Sequence, residues 1–414
     1  MARIAECRCC GSTDIETVWD LGLQPIANDL KNPGTDPASE AKFPLEVAFC
    51  KSCALMQITE TIPPDVLFNA DYPYYSSVSK HLLEHSKAHV DSLLAERTLG
   101  PDSLVVEVAS NDGYLLKNFL AAGVPVLGVD PASGPAQTAN AAGIPTINTF
   151  FSRRVAEKLA AEGKLADVVI ANNVAAHVDQ INDFIDGFRI ILKDDGIAEI
   201  EVAYLLDLVE KVAFDTIYHE HLFYHSLIAL KALFKHNGLH LNDALRIEMH
   251  GGSIRVRVSK QEGESERLKA LLAHEYALGM DKVDFYRGFS QRMEETRSNL
   301  EALLLKLKAE GKRIAAYGAA AKGATLLNYL RLPKGTLEYV VDLNPHKVGK
   351  LLPGVLLTIQ PVDILPNDVP DFVLLLAWNF GREIIAQQSA IAQLGSRFIM
   401  PVPLPRIVRE TSEV

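Results

Sequence analysis

The chain has 414 residues, 48% of them hydrophobic and 22% charged, with a formal net charge of −11. This length predicts two or three domains, and the balance is typical of a soluble globular protein. The acidic charge argues against a nucleic-acid partner, because phosphate binding requires a basic surface. No apolar run approaches the ~20 residues of a membrane helix. Residues 1–6 lack the apolar core of a signal peptide, so we expect a cytoplasmic protein with no membrane partner.

All five cysteines lie before residue 54, and four of them form two C-x-x-C pairs, Cys7 with Cys10 and Cys50 with Cys53. Without a secretory signal, reduced thiols or metal ligands are expected rather than disulfides. Two such pairs supply the four sulfurs of a closed, structural Zn²⁺ site, which stabilises folding and takes no part in chemistry. We expect Cys9 to remain outside this site. A redox dithiol is the alternative interpretation.

A nucleotide-type βα unit is predicted in the middle of the chain. Residues 104–108 are typical of a buried parallel strand, and a small-residue turn, 109–113, leads into a helix near Tyr114. The next strand, 126–129, ends in Asp130, about 20 residues past the turn, where a carboxylate can hold both ribose hydroxyls of an adenosine. Further strands at 168–170 and 198–202 complete the prediction of a doubly wound α/β sheet with ligands at the carboxyl ends of its strands.

The turn itself indicates which cofactor is bound. It lacks a full G-x-G-x-x-G, which disfavours a dinucleotide, whose pyrophosphate needs close backbone approach. Glu107 would repel phosphate but suits a cation, so we prefer S-adenosylmethionine (SAM), with its ammonium and sulfonium groups, to NAD. The residues expected to bind this cofactor are Glu107, Ala109, Ser110, Asn111, Asp112, Gly113, Asp130, Asn172 and Asn173.

Residues 218–225 hold three histidines, one glutamate and two tyrosines, the densest group of proton-moving side chains in the chain. If this stretch is helical, Tyr218, His221 and His225 share one face. Imidazole titrates near neutrality, so a histidine beside a tyrosine can take and return protons. We expect His219 and His225 to be solvated or structural. Three further histidines, His81, His85 and His89, are four residues apart and are predicted to form a polar surface stripe rather than a metal site.

The last third of the chain predicts long amphipathic helices over residues 262–311, bridging two domains. A second Rossmann-like unit follows, with strands at 314–317, 339–341 and 372–376. Its turn, 318–325, resembles a phosphate cradle at a helix N-terminus, and we expect Lys322 to hold the diphosphate or nucleoside of a substrate. The alternative is a decayed duplicate domain that only packs.

Several motifs together resemble a known family, the sugar C-methyltransferases of deoxysugar biosynthesis, over essentially the whole chain. The motifs are Cys7-x-x-Cys10-Gly11, Cys50-x-x-Cys53, Val106-Glu107-Val108-x-Ser110-Asn111-Asp112-Gly113, Tyr218-x-Glu220-His221 and His250-Gly251-Gly252-Ser253-x-Arg255. The resemblance implies a small zinc-binding domain, a SAM-dependent methyltransferase domain and a C-terminal Rossmann-like domain. We place these at 1–75, at 76–260, and at 261–414 with the helical linker.

The resemblance also implies the reaction, methylation of a ring carbon, commonly C3, of a nucleotide-linked 4-keto-6-deoxysugar, commonly a dTDP sugar. It makes His221 the base that forms an enolate. The residues implied beside it are Tyr218, Glu220, His177, and Tyr72 or Tyr74 from the region that joins the first two domains. We expect a tyrosine hydroxyl to donate to the enolate oxygen, and Glu220 to orient His221 or to grip a sugar hydroxyl. The turn containing His250 and Ser253 is expected to close on the substrate.

One residue departs from the family pattern, Ala109, where a glycine is usual. If its φ is negative, the cost of the methyl group is small. Two other interpretations stay open, an NAD-dependent sugar-nucleotide dehydrogenase or epimerase and a non-catalytic zinc-ribbon adaptor. We expect a monomer or a small homo-oligomer.

Overall fold

A small antiparallel sheet opens the chain, of which the computed structural model describes residues 2–63 and 75–413. Its strands are β1 Ala2–Arg3, β2 Ile15–Pro25, β3 Lys42–Cys50, β4 Met56–Ile58 and β5 Glu60–Thr61. The two C-x-x-C segments fold alike: the carbonyl of Cys7 accepts from the Gly11 amide at 2.9 Å, and that of Cys50 accepts from the Ala54 amide at 2.8 Å. Both knuckles therefore turn their thiols inward.

The four predicted thiols converge, with Sγ atoms of Cys7, Cys10, Cys50 and Cys53 all within 4.8 Å of one another. The Cys7–Cys53 and Cys10–Cys50 sulfur pairs are each 3.6 Å apart. A tetrahedral site with Zn–S bonds of about 2.3 Å requires sulfurs about 3.8 Å apart, so the residues fit zinc. Cys9 does not belong to this set, as expected.

The central seven-stranded sheet has the order β12-β13-β10-β9-β6-β7-β8 and packs helices on both faces. Its strands are β6 Val105–Val108, β7 Val126–Asp130, β8 Thr146–Asn148, β9 Ala166–Asn172, β10 Leu192–Ala203, β12 His240–Ile247 and β13 Ser253–Ser259. Its helices are α1 Lys80–Glu96, α2 Leu116–Ala121, α3 Ser133–Ala141, α4 Arg153–Ala161, α5 Ile181–Ile191, α6 Leu205–Glu210 and α7 Leu227–His236. The predicted doubly wound sheet is confirmed, and its strand order reverses between β6 and β9, where ligands bind in such sheets.

The predicted histidine stripe on α1 is wrong for two of its three members. His89 is 3% exposed and bonds Glu199, and His85 Nε2 lies 2.9 Å from Glu201 Oε2. Both glutamates point from β10 toward α1, and Arg255 and Arg257 of β13 bond the same two carboxylates. These histidines therefore lie in a buried charge network, because the sheet places two acids directly beneath the helix.

The C-terminal region begins with two helices, α8 Glu266–Leu278 and α9 Val283–Ala309, as predicted. Helix α9 bridges the outer domains: its Tyr286 carbonyl accepts from Trp19 Nε1 at 3.0 Å, and Thr296 Oγ1 donates to the Pro403 carbonyl at 2.8 Å.

A six-stranded sheet of order β16-β15-β14-β17-β18-β19 follows and confirms the second Rossmann-like unit. Its elements are β14 Ile314–Tyr317, α10 Ala321–Tyr329, β15 Val340–Asp342, β16 Ile359–Pro361, α11 Leu365–Asp368, β17 Phe372–Leu375, α12 Gly381–Gln387, α13 Ser389–Gln393, β18 Arg397–Met400 and β19 Arg406–Val408. Over the ranges 2–63 and 75–413, no helix is both long enough and apolar enough to cross a membrane.

The turn after β6 is strained. Ala109 has a φ of 57°, Asn111 a φ of 49° and Gly113 a φ of 78°. The condition under which the methyl group of Ala109 costs little, a negative φ, is therefore not met, and this left-handed conformation costs roughly 1–2 kcal/mol. The hydrogen bond from the Ala109 amide to the Val129 carbonyl, 2.8 Å long, holds the turn against β7.

We predict that Ala109→Gly stabilises the protein. Relief of the left-handed strain exceeds the roughly 0.4–1 kcal/mol that glycine adds to the entropy of the unfolded chain. Differential scanning calorimetry should show a higher Tm for this variant. The control Ala273→Gly, at an exposed position inside α8, should lower the Tm, because glycine costs about 1 kcal/mol in a helix. Equal losses in both variants would contradict the strain at Ala109.

We predict that Cys50→Ser removes zinc and loosens the N-terminal domain, because three thiolates cannot complete the tetrahedral site. Elemental analysis of purified protein should show about one zinc per chain in the parent and much less in the variant, with a lower Tm. Cys9→Ser is the matched control, since Cys9 is equally buried but lies outside the sulfur cluster. Zinc retained in Cys50→Ser, or lost in Cys9→Ser, would show that the metal ligands are wrongly assigned.

Candidate active site

The histidine-rich segment forms turns and a short strand, so the helix considered for residues 218–225 is wrong. A 3₁₀ turn, Phe214–Thr216, leads into a tight turn in which the His221 amide donates to the Tyr218 carbonyl at 2.9 Å. Strand β11, Phe223–Tyr224, follows. The tight turn still brings the Tyr218 and His221 side chains together, with ring centroids 4.0 Å apart. We call residues 214–225, which hold the candidate catalytic residues Tyr218 and His221, the catalytic segment.

The hydrogen bonds of His221 determine its tautomer. Nδ1 lies 2.9 Å from the Thr216 carbonyl oxygen, and Nε2 lies 2.8 Å from the Tyr218 hydroxyl. A carbonyl can only accept, so Nδ1 carries the hydrogen. In the neutral ring, Nε2 then holds the lone pair and accepts from Tyr218. This arrangement presents a basic nitrogen at Nε2.

A second imidazole, His177, lies beside His221, with ring centroids 4.9 Å apart. Its Nδ1 donates to the Glu220 carbonyl oxygen at 2.6 Å. Burial lowers the pKa of His177, although this carbonyl opposes the shift. His177 is therefore kept neutral next to His221.

The backbone carbonyl of Glu220 accepts a hydrogen bond from His177, and its side chain contacts the N-terminal domain. Its carboxylate is 2% exposed, and Oε1 accepts from Asn28 Nδ2 at 3.1 Å. Burial raises the pKa of the Glu220 carboxyl. The Thr216 carbonyl makes the contact at Nδ1 of His221, and the two roles expected of Glu220, orienting His221 or gripping a sugar hydroxyl, stay predictions.

The N-terminal domain supports the catalytic segment directly, because β11 joins its sheet in the order β11-β4-β3-β2. Phe223 pairs with Gln57, and Tyr224 pairs with Met56. His219 Nε2 lies 3.1 Å from the Pro44 carbonyl. His219 and His225 are 0% and 1% exposed. Of the two roles expected for them, solvated or structural, both therefore have the structural one. Burial lowers the pKa of His225 to about 4.

The predicted cofactor residues lie at the carboxyl ends of β6, β7 and β9. Asp130 accepts from the amides of Asn111 and Ala132, both at 2.8 Å, and so shapes the turn after β6. Burial raises the pKa of Asp130, although these two hydrogen bonds act to lower it. Gly128 leaves the room this turn needs, because a Cβ there would lie 2.4 Å from Ser110 Oγ.

Four buried polar atoms around this turn accept no hydrogen bond from the described residues. They are Glu107 Oε2, Ser110 Oγ, Asp112 Oδ1 and Asn172 Oδ1. Burial, with Asp130 and Asp112 nearby, raises the pKa of Glu107 well above its usual range. Buried polar groups require partners, and a ligand that carries positive charge and hydroxyl groups would satisfy these atoms. The residues fit SAM, as the charge argument predicts.

The loop after β9 connects the cofactor edge to the catalytic segment. The Asn173 amide donates to the Glu201 carbonyl at 2.7 Å, and three residues later the Ala176 carbonyl accepts from the Leu222 amide, also at 2.7 Å. His177 follows at once. The domain linker crosses the same edge, where the Ser76 amide donates to Asn111 Oδ1 at 2.8 Å. Tyr72 and Tyr74, the other predicted catalytic residues, lie outside the described residues.

The predicted substrate turn precedes β13 as expected, but Ser253 does not face a site. It is 0% exposed, and its hydroxyl donates to the Met249 carbonyl at 3.1 Å. The expectation that it binds substrate is therefore wrong in this structure, because the hydroxyl closes the turn. His250 lies in this turn, and its side chain is outside the described part of the chain. Lys211 Nζ donates to the Gly251 carbonyl at 2.6 Å.

Lys322 is directed toward the central domain. Its Nζ donates to Asn379 Oδ1 at 2.7 Å and lies 4.6 Å from the centroid of the Trp378 ring. In the turn expected to bind phosphate, the Ala319 amide already donates to Asp342 Oδ2 at 2.7 Å. A carboxylate thus occupies a donor that a phosphate would need.

Sequence reasoning missed three participants, Thr216, Asp215 and Trp378. Thr216 contributes a backbone carbonyl. Every residue has one, so the residue type at position 216 could not predict this contact. Asp215 and Trp378 lie 163 positions apart, yet Trp378 Nε1 donates to Asp215 Oδ2 at 2.6 Å. The only available signal was that Asp215 precedes the histidine cluster and that Trp378 follows a predicted strand.

Comparison with protein families gives three matches along the chain. A putative zinc binding domain matches residues 7–68, a methyltransferase domain matches residues 81–243, and a C-methyltransferase C-terminal domain matches residues 248–403. The C-methyltransferase NovU of Streptomyces niveus is 37% identical over 412 residues, which cover 99% of this chain and 98% of that protein.

Solved structures match less than half of the chain at low identity. The PH0226 protein of Pyrococcus horikoshii OT3 is 14% identical with a TM-score of 0.37, covering 49% of this chain and 100% of that one. The magnesium protoporphyrin IX methyltransferase of Synechocystis PCC 6803 with bound SAM is 14% identical with a TM-score of 0.33, covering 43% of this chain and 79% of that one. These TM-scores are too low to support a functional argument.

The full-length relative and the three domain matches decide between the interpretations left open by the sequence. They exclude the dehydrogenase and the non-catalytic adaptor, and the four-thiol cluster and the polar turn after β6 fit zinc and SAM respectively. The chain belongs to the family of SAM-dependent C-methyltransferases with a zinc-binding N-terminal domain.

Proposed function

We propose that the protein methylates a ring carbon, C3, beside the ketone of a nucleotide-linked 4-keto-6-deoxysugar carrying dTDP, and that His221 is the base. The observation that carries this proposal is the pair of hydrogen bonds at His221, from Nδ1 to the Thr216 carbonyl and between Nε2 and the Tyr218 hydroxyl. A carbon is a poor nucleophile until it loses a proton, so a carbon acceptor requires such a base. The motif resemblance supports the choice of sugar.

The catalytic segment supplies both the base and the donor to the enolate oxygen. The C3 proton passes to His221 Nε2, and the electron pair it leaves forms the enolate of the neighbouring ketone. For this, the Tyr218 hydroxyl must turn its hydrogen from Nε2 to the ketone oxygen, which frees the Nε2 lone pair and places a donor on the developing oxyanion. One such donor contributes about 10²–10³-fold to the rate. SAM, when bound, supplies an electrophilic methyl group.

Because His177 is neutral, it does not oppose the positive charge that His221 gains in this proton transfer. When His221 gains a proton, a second positive ring at a centroid distance of 4.9 Å would oppose that charge. Burial lowers the pKa of His177, so the neighbouring ring stays uncharged.

The residues after β6 hold the cofactor in this proposal. The Glu107 carboxylate faces the positive charge of SAM, while the Asp112 and Asn172 oxygens that accept no bond from the described residues take its ammonium or hydroxyl hydrogens. Asp130 holds the ribose. Tight binding of a cation therefore depends on an ionised Glu107.

We predict that His221→Ala lowers turnover by at least about 10²–10⁴-fold, while SAM affinity stays unchanged. Mass spectrometry should show one added CH₂ on a 4-keto sugar nucleotide with the parent enzyme and almost none with the variant. In deuterium oxide with S-adenosylhomocysteine, the parent should exchange the hydrogen beside the ketone and the variant should not. His81→Ala, at an exposed histidine of α1, is the control and should match the parent in both assays.

Two outcomes would contradict the proposal. Turnover unchanged in His221→Ala would remove this residue as the base. A methyl group found on oxygen or nitrogen of the product would exclude the enolate route altogether.

We predict that SAM affinity increases as pH rises. In the free enzyme the pKa of Glu107 is raised, so the carboxyl holds a proton at lower pH. A bound cation favours the ionised form, so binding releases a proton and becomes stronger until pH passes that raised pKa. Calorimetry in two buffers of different ionisation enthalpy should detect the released proton.

Glu107→Gln should weaken SAM binding and remove this pH dependence, because the amide cannot ionise. Glu84→Gln, at an exposed glutamate of α1, should change neither. A pH dependence retained in Glu107→Gln would show that another group releases the proton.

A further inference from the structure

We propose that Trp378 and Asp215 are positioning residues for His221, through which the C-terminal domain orients the base. This inference rests on the proposed function, because it assigns a purpose to a contact of the catalytic segment. Asp215 is 0% exposed, and its Oδ2 accepts from Trp378 Nε1 at 2.6 Å. The next residue, Thr216, supplies the carbonyl that holds His221 Nδ1 at 2.9 Å.

One short 3₁₀ turn, Phe214–Thr216, contains both Asp215, which Trp378 contacts, and Thr216, whose carbonyl holds His221. The turn is internally tight, since the Thr216 amide and hydroxyl both donate to the Ala213 carbonyl, at 3.1 and 2.7 Å. A shift of the Asp215 side chain therefore moves the Thr216 carbonyl with it. The C-terminal domain holds the other side of the turn as well, because the rings of Phe214 and Tyr329 have centroids 5.1 Å apart.

Charge balance keeps this contact in place. Lys322 Nζ lies 4.6 Å from the centroid of the Trp378 ring and bonds Asn379. Burial raises the pKa of Asp215, and the positive charge of Lys322 opposes that shift. A buried carboxylate needs such a counter-charge, so Lys322 stabilises Asp215 here. This differs from the diphosphate contact expected from the sequence.

The same tryptophan connects two parts of the central domain. A Cβ at Gly251 would lie 3.4 Å from Trp378 Cη2, so the ring packs against the turn before β13 as well as against the catalytic segment. Trp378 thus fills the junction between these two loops. Its indole N–H fixes Asp215, and its ring fixes the distance between the loops.

A displaced Thr216 carbonyl would leave Nδ1 of His221 without the acceptor that determines its tautomer. The ring could then turn or carry its hydrogen on Nε2, and the lone pair would no longer face the substrate. Misplacement by about 1 Å can cost about 10²-fold in rate. The loss should fall on kcat, because neither Trp378 nor Asp215 belongs to the residues expected to bind SAM.

The test uses Trp378→Phe, which keeps an aromatic ring and removes the N–H donor. Trp19→Phe is the matched control, since Trp19 Nε1 also donates to a buried acceptor, the Tyr286 carbonyl, at 3.0 Å. This acceptor lies outside the catalytic segment, and phenylalanine keeps an aromatic ring against Tyr224. We expect Trp378→Phe to lower kcat about 10-fold or more, with KM and SAM affinity within about twofold. Trp19→Phe should lower the Tm similarly and leave kcat nearly unchanged. With ¹⁵N-labelled histidine, NMR spectra should show a changed His221 tautomer only in Trp378→Phe.

Two more variants keep the inference testable if Trp378→Phe folds poorly. Asp215→Asn retains an acceptor for the indole and should keep more kcat than Asp215→Ala. Lys322→Met should lower kcat if Lys322 supports Asp215. If Lys322→Met instead raises the KM for the sugar nucleotide with kcat unchanged, Lys322 binds the substrate and its positioning role is wrong.

His221→Ala, measured in parallel, separates this inference from the proposed function. If His221→Ala is inactive while Trp378→Phe matches Trp19→Phe in kcat and in tautomer, only the positioning inference fails. If His221→Ala retains turnover, the proposed base is wrong and the positioning inference fails with it.

Discussion

The hydrogen bond from His221 Nδ1 to the Thr216 carbonyl is the contact on which the candidate site depends. It decides which nitrogen of the ring is basic, because a carbonyl oxygen accepts only a protonated nitrogen. The geometry that brings it about is a pair of tight turns rather than a helix. Turns bring Tyr218 and His221 within 2.8 Å and leave the backbone carbonyls around them available as acceptors, which a helix would consume in its own hydrogen bonds.

Three domains hold these turns from different sides. The N-terminal sheet takes up Phe223 and Tyr224 as an edge strand, the loop after β9 binds the Leu222 amide, and the C-terminal domain reaches Asp215 through Trp378. A segment of twelve residues (214–225) whose regular structure is one 3₁₀ turn and a two-residue strand has little stability of its own. Its order therefore comes from tertiary contacts, which gives the zinc domain a structural reason to be present.

The cofactor side carries both backbone strain and buried polar atoms that lack a partner among the described residues. Ala109 is left-handed, and Glu107 and Ser110 keep buried atoms that accept no bond from the described residues. Both features cost stability in the free protein and are relieved or used when a ligand binds. The acids beneath α1 have charged partners, since Glu199 and Glu201 are each bonded by a histidine and an arginine. Burial alone would raise the pKa of both, but these partners lower it, so these acids belong to the framework.

The sequence by itself determined the zinc thiols, the strands of both Rossmann-like sheets and the group around His221, because spacing and hydrophobic pattern are local properties of the chain. It failed where distant segments meet. The environment of His89 depends on Glu199 beneath it, the contacts of Ser253 on the Met249 carbonyl, and the direction of Lys322 on Trp378. Only the tertiary structure decided these, since burial and hydrogen-bond partners arise from packing between elements far apart in the chain.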